Sequence, residues 1–179
     1  SKILTVDKHE DLFWSIPVFG DDIYPSVKYV GRIVGGRDHV VKLQALLRDA
    51  DCKSSLILCQ SGDYIFGGYA SDIVPDDSTF SGDKSSYLFS ITHGLKLPYH
   101  GRVVPDGWEK PHSDYTYGKD AIRGEEDLIQ FGTGDLVISD DMLNCTSALE
   151  NSYGFALPTD VKRTFLAGRT SFAIDILEV

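Results

Sequence analysis

The sequence predicts an α+β domain in which antiparallel β-sheets pack on each other or under helices. Short runs of β-branched and aromatic residues recur along the chain, separated by clusters of Gly, Asp and Pro. One central segment, Val40 to Arg48, instead repeats its apolar residues at helical spacing. The 179 residues, 42% of them hydrophobic, suffice for one core and one domain spanning the chain.

At the start, Thr5 stands ahead of Asp7 and Lys8, and apolar residues return at Leu12 and Phe13, the pattern of a short N-terminal helix. Pro17, Gly20, Asp21, Asp22 and Pro25 then supply turn chemistry, so residues up to about 26 read as helix and linker. Val27 to Val34 is β-branched and reads as a strand. Beyond Gly35-Gly36, Asp38 is a candidate cap for a helix whose apolar stripe is Val40, Leu43, Leu46 and Leu47. Ser55 to Gln60 and Tyr64 to Tyr69, joined by Ser61-Gly62-Asp63, have the spacing of a tight hairpin. Tyr87 to Ile91 and Leu136 to Ser139 read as further strands, and residues 92–127 as loops with one or two short strands. Ser171 to Val179 alternates well enough for a single last strand, with Phe172, Ile174 and Ile176 on one face. The total is about six to nine strands around one helix.

A net charge of −10 disfavours binding to nucleic acid or to anionic membranes, because both depend on clustered Lys and Arg. The acids are dispersed in pairs such as Asp76-Asp77 and Asp140-Asp141, as expected of solvated turns. Three cysteines, Cys52, Cys59 and Cys145, with no C-x-x-C pair fit neither a disulfide framework nor a common zinc site. With no apolar run of spanning length and no leader-like segment, the expectation is a monomer in the cytoplasm, without membrane insertion. Asn144-Cys145-Thr146 matches a glycosylation sequon, but that reading needs a secretory context.

No complete catalytic or cofactor constellation emerges, so no cofactor or metal is expected. Gly67-Gly68 and Gly132-Thr133-Gly134 border strands and read as sites of bulges or close backbone packing; neither has the residues of a phosphate loop or dinucleotide fingerprint. A triad of Ser139, His93 or His112, and Asp135 can be written on paper but lacks a nucleophile elbow. Cys52, beside Lys53, is the candidate for a reactive thiol; Cys59, among apolar residues, reads as core.

The ordered features resemble the TLDc family. The resemblance rests on Gly35-Gly36-Arg37-Asp38 before the helix, the Ser55 to Gln60 strand, Tyr64-Ile65-Phe66-Gly67-Gly68-Tyr69 running on to Ser71, and Ser86 to Ser90. It continues through Phe131-Gly132-Thr133-Gly134-Asp135 to Asp140, Tyr153-Gly154, Phe165-Leu166-Ala167-Gly168 and the closing Phe172 to Val179. Gly67, Gly68, Tyr69, Phe131, Gly132, Gly134, Asp135 and Gly168 are then scaffold positions. The resemblance implies a two-sheet antiparallel β-sandwich flanked by a few helices, a role in protection against oxidative damage, and binding and regulation of the V-ATPase; with no catalytic constellation beside the scaffold motifs, the leading reading is a noncatalytic protein-interaction module. Asp135, Asp140 and Glu178 become candidates for domain integrity or partner contact, and Asp135 beside Gly134 is also open to a turn-capping role. Two alternatives follow: a direct scavenger using Cys52, and a sandwich that binds glycans or lipid head groups through Trp14, Trp108 and neighbouring tyrosines.

Overall fold

The computed structural model describes residues 32–34, 54–72, 79–82, 84–101, 121–125 and 127–179. Among them the chain forms twelve short strands in two six-stranded sheets and no helix. The anticipated N-terminal helix and linker and the Val40 to Arg48 helix lie outside the described residues, as do Cys52, Trp14, Trp108 and His112.

The first sheet runs β1 (Arg32–Val34), β12 (Ile176–Glu178), β2 (Ser55–Ser61), β3 (Tyr64–Ala70), β5 (Tyr87–Ser90), β6 (Leu95–Pro98). The second runs β11 (Ser171–Phe172), β10 (Cys145–Ser147), β9 (Leu136–Ser139), β8 (Leu128–Phe131), β7 (Ile122–Gly124), β4 (Phe80–Ser81). Every described pairing is antiparallel. The two-sheet sandwich that the resemblance implies is therefore present.

Alternation decides which residues fill the space between the sheets. Ile57, Cys59, Phe66, Leu88 and Leu177 from the first sheet meet Ile122, Ile129, Phe131, Leu136, Ile138, Cys145 and Phe172 from the second in one buried cluster. Phe66 meets Phe172 edge-on, ring centroids 5.5 Å apart, a favoured aromatic geometry. The sheets differ on their other faces. In the second, the intervening Gln130, Val137 and Thr146 are only partly buried, as in a sheet wetted on one side. In the first, β5 is buried along its whole length, and Leu58, Tyr87 and Phe89 form a second apolar cluster on the outer face.

The β2–β3 hairpin forms as anticipated. Ser61 pairs with Tyr64 across Gly62-Asp63, and Gly62 has the left-handed φ of 54° that favours glycine at such a turn. Gly67 and Gly68 sit in an unbroken register, so they serve close packing and not a bulge. A Cβ on Gly68 would lie 2.5 Å from Cε1 of Phe131, so the absence of a side chain lets that ring lie flat on β3.

The C-terminal segment departs from the expectation of one strand. Ser171–Phe172 belongs to the second sheet and Ile176–Glu178 to the first, so the chain changes sheets between them. Phe172 and Ile174 enter the central core, whereas Ile176 joins the outer cluster. The corner is held by backbone hydrogen bonds from Ile174 N–H to Met142 O (2.7 Å) and from Asp175 N–H to Gln60 O (2.8 Å). Alternation over nine residues cannot register such a corner, because both halves keep the same period.

Candidate interaction surface

The connections at one end of the sandwich form a surface tied together across both sheets. Asp140 N–H donates to Asp127 O (2.8 Å), joining the turns before β8 and after β9. Met142 O accepts from Ile174, and Asp175 N–H bonds Gln60 O; the Asp175 carboxylate then accepts from Gly62 N–H at 2.7 Å. Ile65 N–H donates to Thr92 Oγ1 (2.7 Å), bringing in the turn between β5 and β6. The end is acidic: Asp63, Asp127, Asp141 and Asp175 are exposed, and Glu125 and Asp140 are partly so. Arg123, nearby, pairs with Glu125 at 2.8 Å.

At its centre is the β9–β10 connection, Asp140-Asp141-Met142-Leu143-Asn144. Asp141 organises it. Its Oδ1 accepts from Ser139 Oγ (2.6 Å), Leu143 N–H (2.8 Å) and Asn144 N–H (3.2 Å), and its Oδ2 accepts from Asn144 Nδ2 (2.6 Å). Met142 takes a φ of 56°, uncommon for a side chain of its size, and is buried in the central core. With Met142 turned inward, Leu143 projects into solvent at 63% exposure. Thus one of two adjacent apolar side chains plugs the core while the other is held outside on a hydrogen-bonded tip.

The Ser139 hydroxyl first, then the N–H donors, hold the Asp141 carboxyl down at about 2. A carboxylate whose folded value lies below its unfolded one stabilises the fold above the unfolded value, and that contribution is lost as pH falls through the folded value. Carbon-detected titration of Asp141 should therefore give a midpoint near 2, with the Leu143 and Asn144 amide shifts following it. A midpoint in the ordinary carboxylate range would mean that the tip does not hold this geometry in solution.

The anticipated site residues fall in other places. Asp135 is fully buried at the opposite end of β9, and Glu178 is 4% exposed. As surface partner contacts these two are corrected; of the three candidates only Asp140 reaches the surface. The Asp135 carboxylate accepts backbone N–H bonds from Asn151 (3.0 Å), Ser152 (3.0 Å) and Tyr153 (3.3 Å), so it fixes the loop after β10. Burial pushes its carboxyl up and outweighs those donors, which pull it down. Tyr153 hydroxyl donates to Ala121 O (2.8 Å), and His100 N–H donates to Ser152 O (2.9 Å), so the same loop ties both sheets.

Asp135 precedes β9 and Ser139 ends it, a separation of roughly 13 Å at strand rise. The triad written on paper does not assemble. His93 is exposed and packs against Phe165, ring centroids 4.6 Å apart. Cys59 and Cys145 are free and buried, and burial raises both thiols, so they are unreactive core residues. Gly168, at φ 72°, lies against the Tyr64 ring, where a Cβ would come within 2.6 Å. Gly132 and Gly134, at φ 60° and 99°, form the turn that delivers Asp135 into its pocket. Among the described residues no group of acids, histidines and cysteines is placed to hold a metal ion, and no helix is long and apolar enough to cross a membrane. Leu143 was missed in the sequence because nothing local separates it from Met142.

Two antiparallel sheets packed as a sandwich, with the buried Asp135 carboxylate holding the loop after β10, define the fold class among the described residues. The family model of the TLDc domain matches residues 36–179, and the chain belongs to that family. No curated relative matches the sequence.

Proposed function

We propose that this TLDc domain is a noncatalytic protein-interaction module in the cytoplasm that engages its partner through the acidic end of the sandwich, with Leu143 as the central contact. The observation that supports this most is the tip geometry: a leucine 63% exposed beside a methionine locked inward at a positive φ. An apolar side chain already held in place loses little freedom on docking, which is how a small contact becomes an energetic anchor. The surrounding carboxylates favour a partner face that carries Lys or Arg around an apolar pocket. By family resemblance the partner is the V-ATPase, and the role is protection against oxidative damage through that interaction.

The test is capture of V-ATPase subunits by the purified domain, compared with Leu143→Asp. Wild type should enrich the pump, and the variant should lose affinity by about tenfold or more while unfolding at the same temperature. Equal capture by the variant would overturn the proposed surface. Failure of the wild type to enrich any subunit at low and moderate salt would overturn the pump.

A further inference from the structure

Each sheet ends in strands that pair on one side only among the described residues, and two of these edges, β6 and β11, can be compared group by group. In β6 the bond from Tyr99 N–H to Ser86 O (3.2 Å) sets which residues face β5. With Leu88 opposite Leu97 and Phe89 opposite Lys96, the backbone groups of Leu95 and Leu97 turn toward β5, and those of Lys96 and Pro98 turn to the free edge. Pro98 has no N–H to offer there, and Lys96 sets a charge beside the one remaining donor. Both features discourage the addition of another strand.

β11 carries neither device. Ser147 N–H donates to Thr170 O (2.9 Å), Ile174 N–H donates to Met142 O (2.7 Å), and Cys145 stands opposite Phe172. Thr170, Phe172 and Ile174 therefore direct their backbone groups into the second sheet, and Arg169, Ser171 and Ala173 direct theirs away from it. Among the described residues nothing bonds those outward groups. Arg169, Thr170, Ser171 and Ala173 are all exposed, so the edge is open to solvent.

An open edge accepts an extended strand, and the charges along it say which. Arg169 lies at the end of β11 where Thr170 meets Ser147; the exposed Asp175 lies just past the other end, on the acidic side of the sandwich. An antiparallel copy of the same strand brings these opposites together. With Ser171 facing Ser171 across a two-fold axis, Arg169 stands opposite Ala173 of the second copy and reaches toward its Asp175. Such a pairing is self-complementary, as a two-fold interface must be. It also sends the two acidic ends to opposite ends of the joined sheet, which limits the repulsion expected between chains of net charge −10.

We propose that β11 is a self-association edge, at which two copies of this domain pair antiparallel about Ser171 and join their second sheets into one continuous sheet. Ser171 supplies the two central hydrogen bonds, N–H to C=O in each direction. The Leu143 tips take no part and stay open, one at each end of the pair. Because the strand is short, the association is weak and depends on concentration.

Sedimentation velocity of the full chain tests the assignment. The weight-average mass should rise from that of one chain at ~10 µM toward that of two at ~1 mM, as for contacts at the small end of the interface range. Ser171→Pro removes an N–H that bonds nothing within the described chain, so it should keep the unfolding temperature and weaken association by about tenfold or more. Leu143→Asp should leave association unchanged. A single-chain mass at every concentration, a dimer that Ser171→Pro leaves intact, or one that Leu143→Asp abolishes would overturn the proposal. If Ser171→Pro does not fold, Ala173→Arg, which sets an arginine opposite Arg169 of the second copy, carries the test with the same expected loss and the same overturning result.

Discussion

Asp135→Ala is expected to destabilise the domain by about 3 kcal/mol or more, seen as a fall of about 10 °C in the midpoint of thermal unfolding. The side chain has no exposed surface, and its two oxygens accept from three successive backbone N–H groups at residues 151–153. Removing it leaves those donors facing a void, with Ser152 N–H and Tyr153 N–H buried. The loss spreads because the same loop carries the Tyr153 bond to Ala121 and the Ser152 bond to His100.

Asp135→Asn separates the roles of shape and charge. The amide keeps an oxygen to accept the N–H groups and removes the cost of burying a charge, which is large enough here to raise the carboxyl despite four backbone donors. Oδ1 alone already accepts from Asn151, Ser152 (3.2 Å) and Tyr153 N–H, so an asparagine oxygen at that position keeps all three. Asparagine should therefore cost less than half of what alanine does. Equal losses in calorimetry would show that the negative charge itself holds the loop.

Much of the scaffold is legible in the sequence because its signals are local. The β2–β3 hairpin follows from two apolar runs and a Gly-containing connection, and the glycines of β3 were readable as positions of a bulge or of close packing, between which the unbroken register decides. What sequence reasoning missed depends on contacts between distant residues. The sheet change at Ile174-Asp175 is set by Met142 and Gln60, which are far away in the chain. Whether Asp135 is a surface acid or an interior one depends on a loop that begins some fifteen residues later, although an Asp set between a Gly turn and an apolar strand is open to both readings. Glu178 entered as a candidate partner contact by resemblance, yet it stands opposite Leu58 in β2 and is buried. At the candidate surface the acids were visible one by one, but their convergence follows from hairpin ends that only the strand order brings together.

The two glycines of β3 predict opposite responses to the same substitution strategy. Gly68→Ala drives a methyl into the Phe131 ring, with Cε1 at 2.5 Å and Cε2 at 2.8 Å, and overpacking of this kind costs about 1–3 kcal/mol. The obstacle is a side chain, so it can be removed. In a Gly68→Ala, Phe131→Leu double variant the alanine methyl occupies space that the ring has vacated, and the combined loss should be smaller than the sum of the single losses by about 1 kcal/mol. Gly67 faces the outer cluster, where a Cβ would meet Phe89 Cζ at 2.8 Å and would collide with the backbone carbonyl of Ile57 in β2. A strand carbonyl cannot be trimmed, and moving it would open the pairing of Leu58 with Gly67 at the centre of the sheet. Gly67→Ala should thus be the more damaging of the two, and adding Phe89→Leu should not restore it. Chemical denaturation of the two glycine variants, Phe131→Leu, Phe89→Leu and the two doubles decides this: rescue at Gly67 by the Phe89 change would mean that the ring, and not the carbonyl, is what the glycine accommodates.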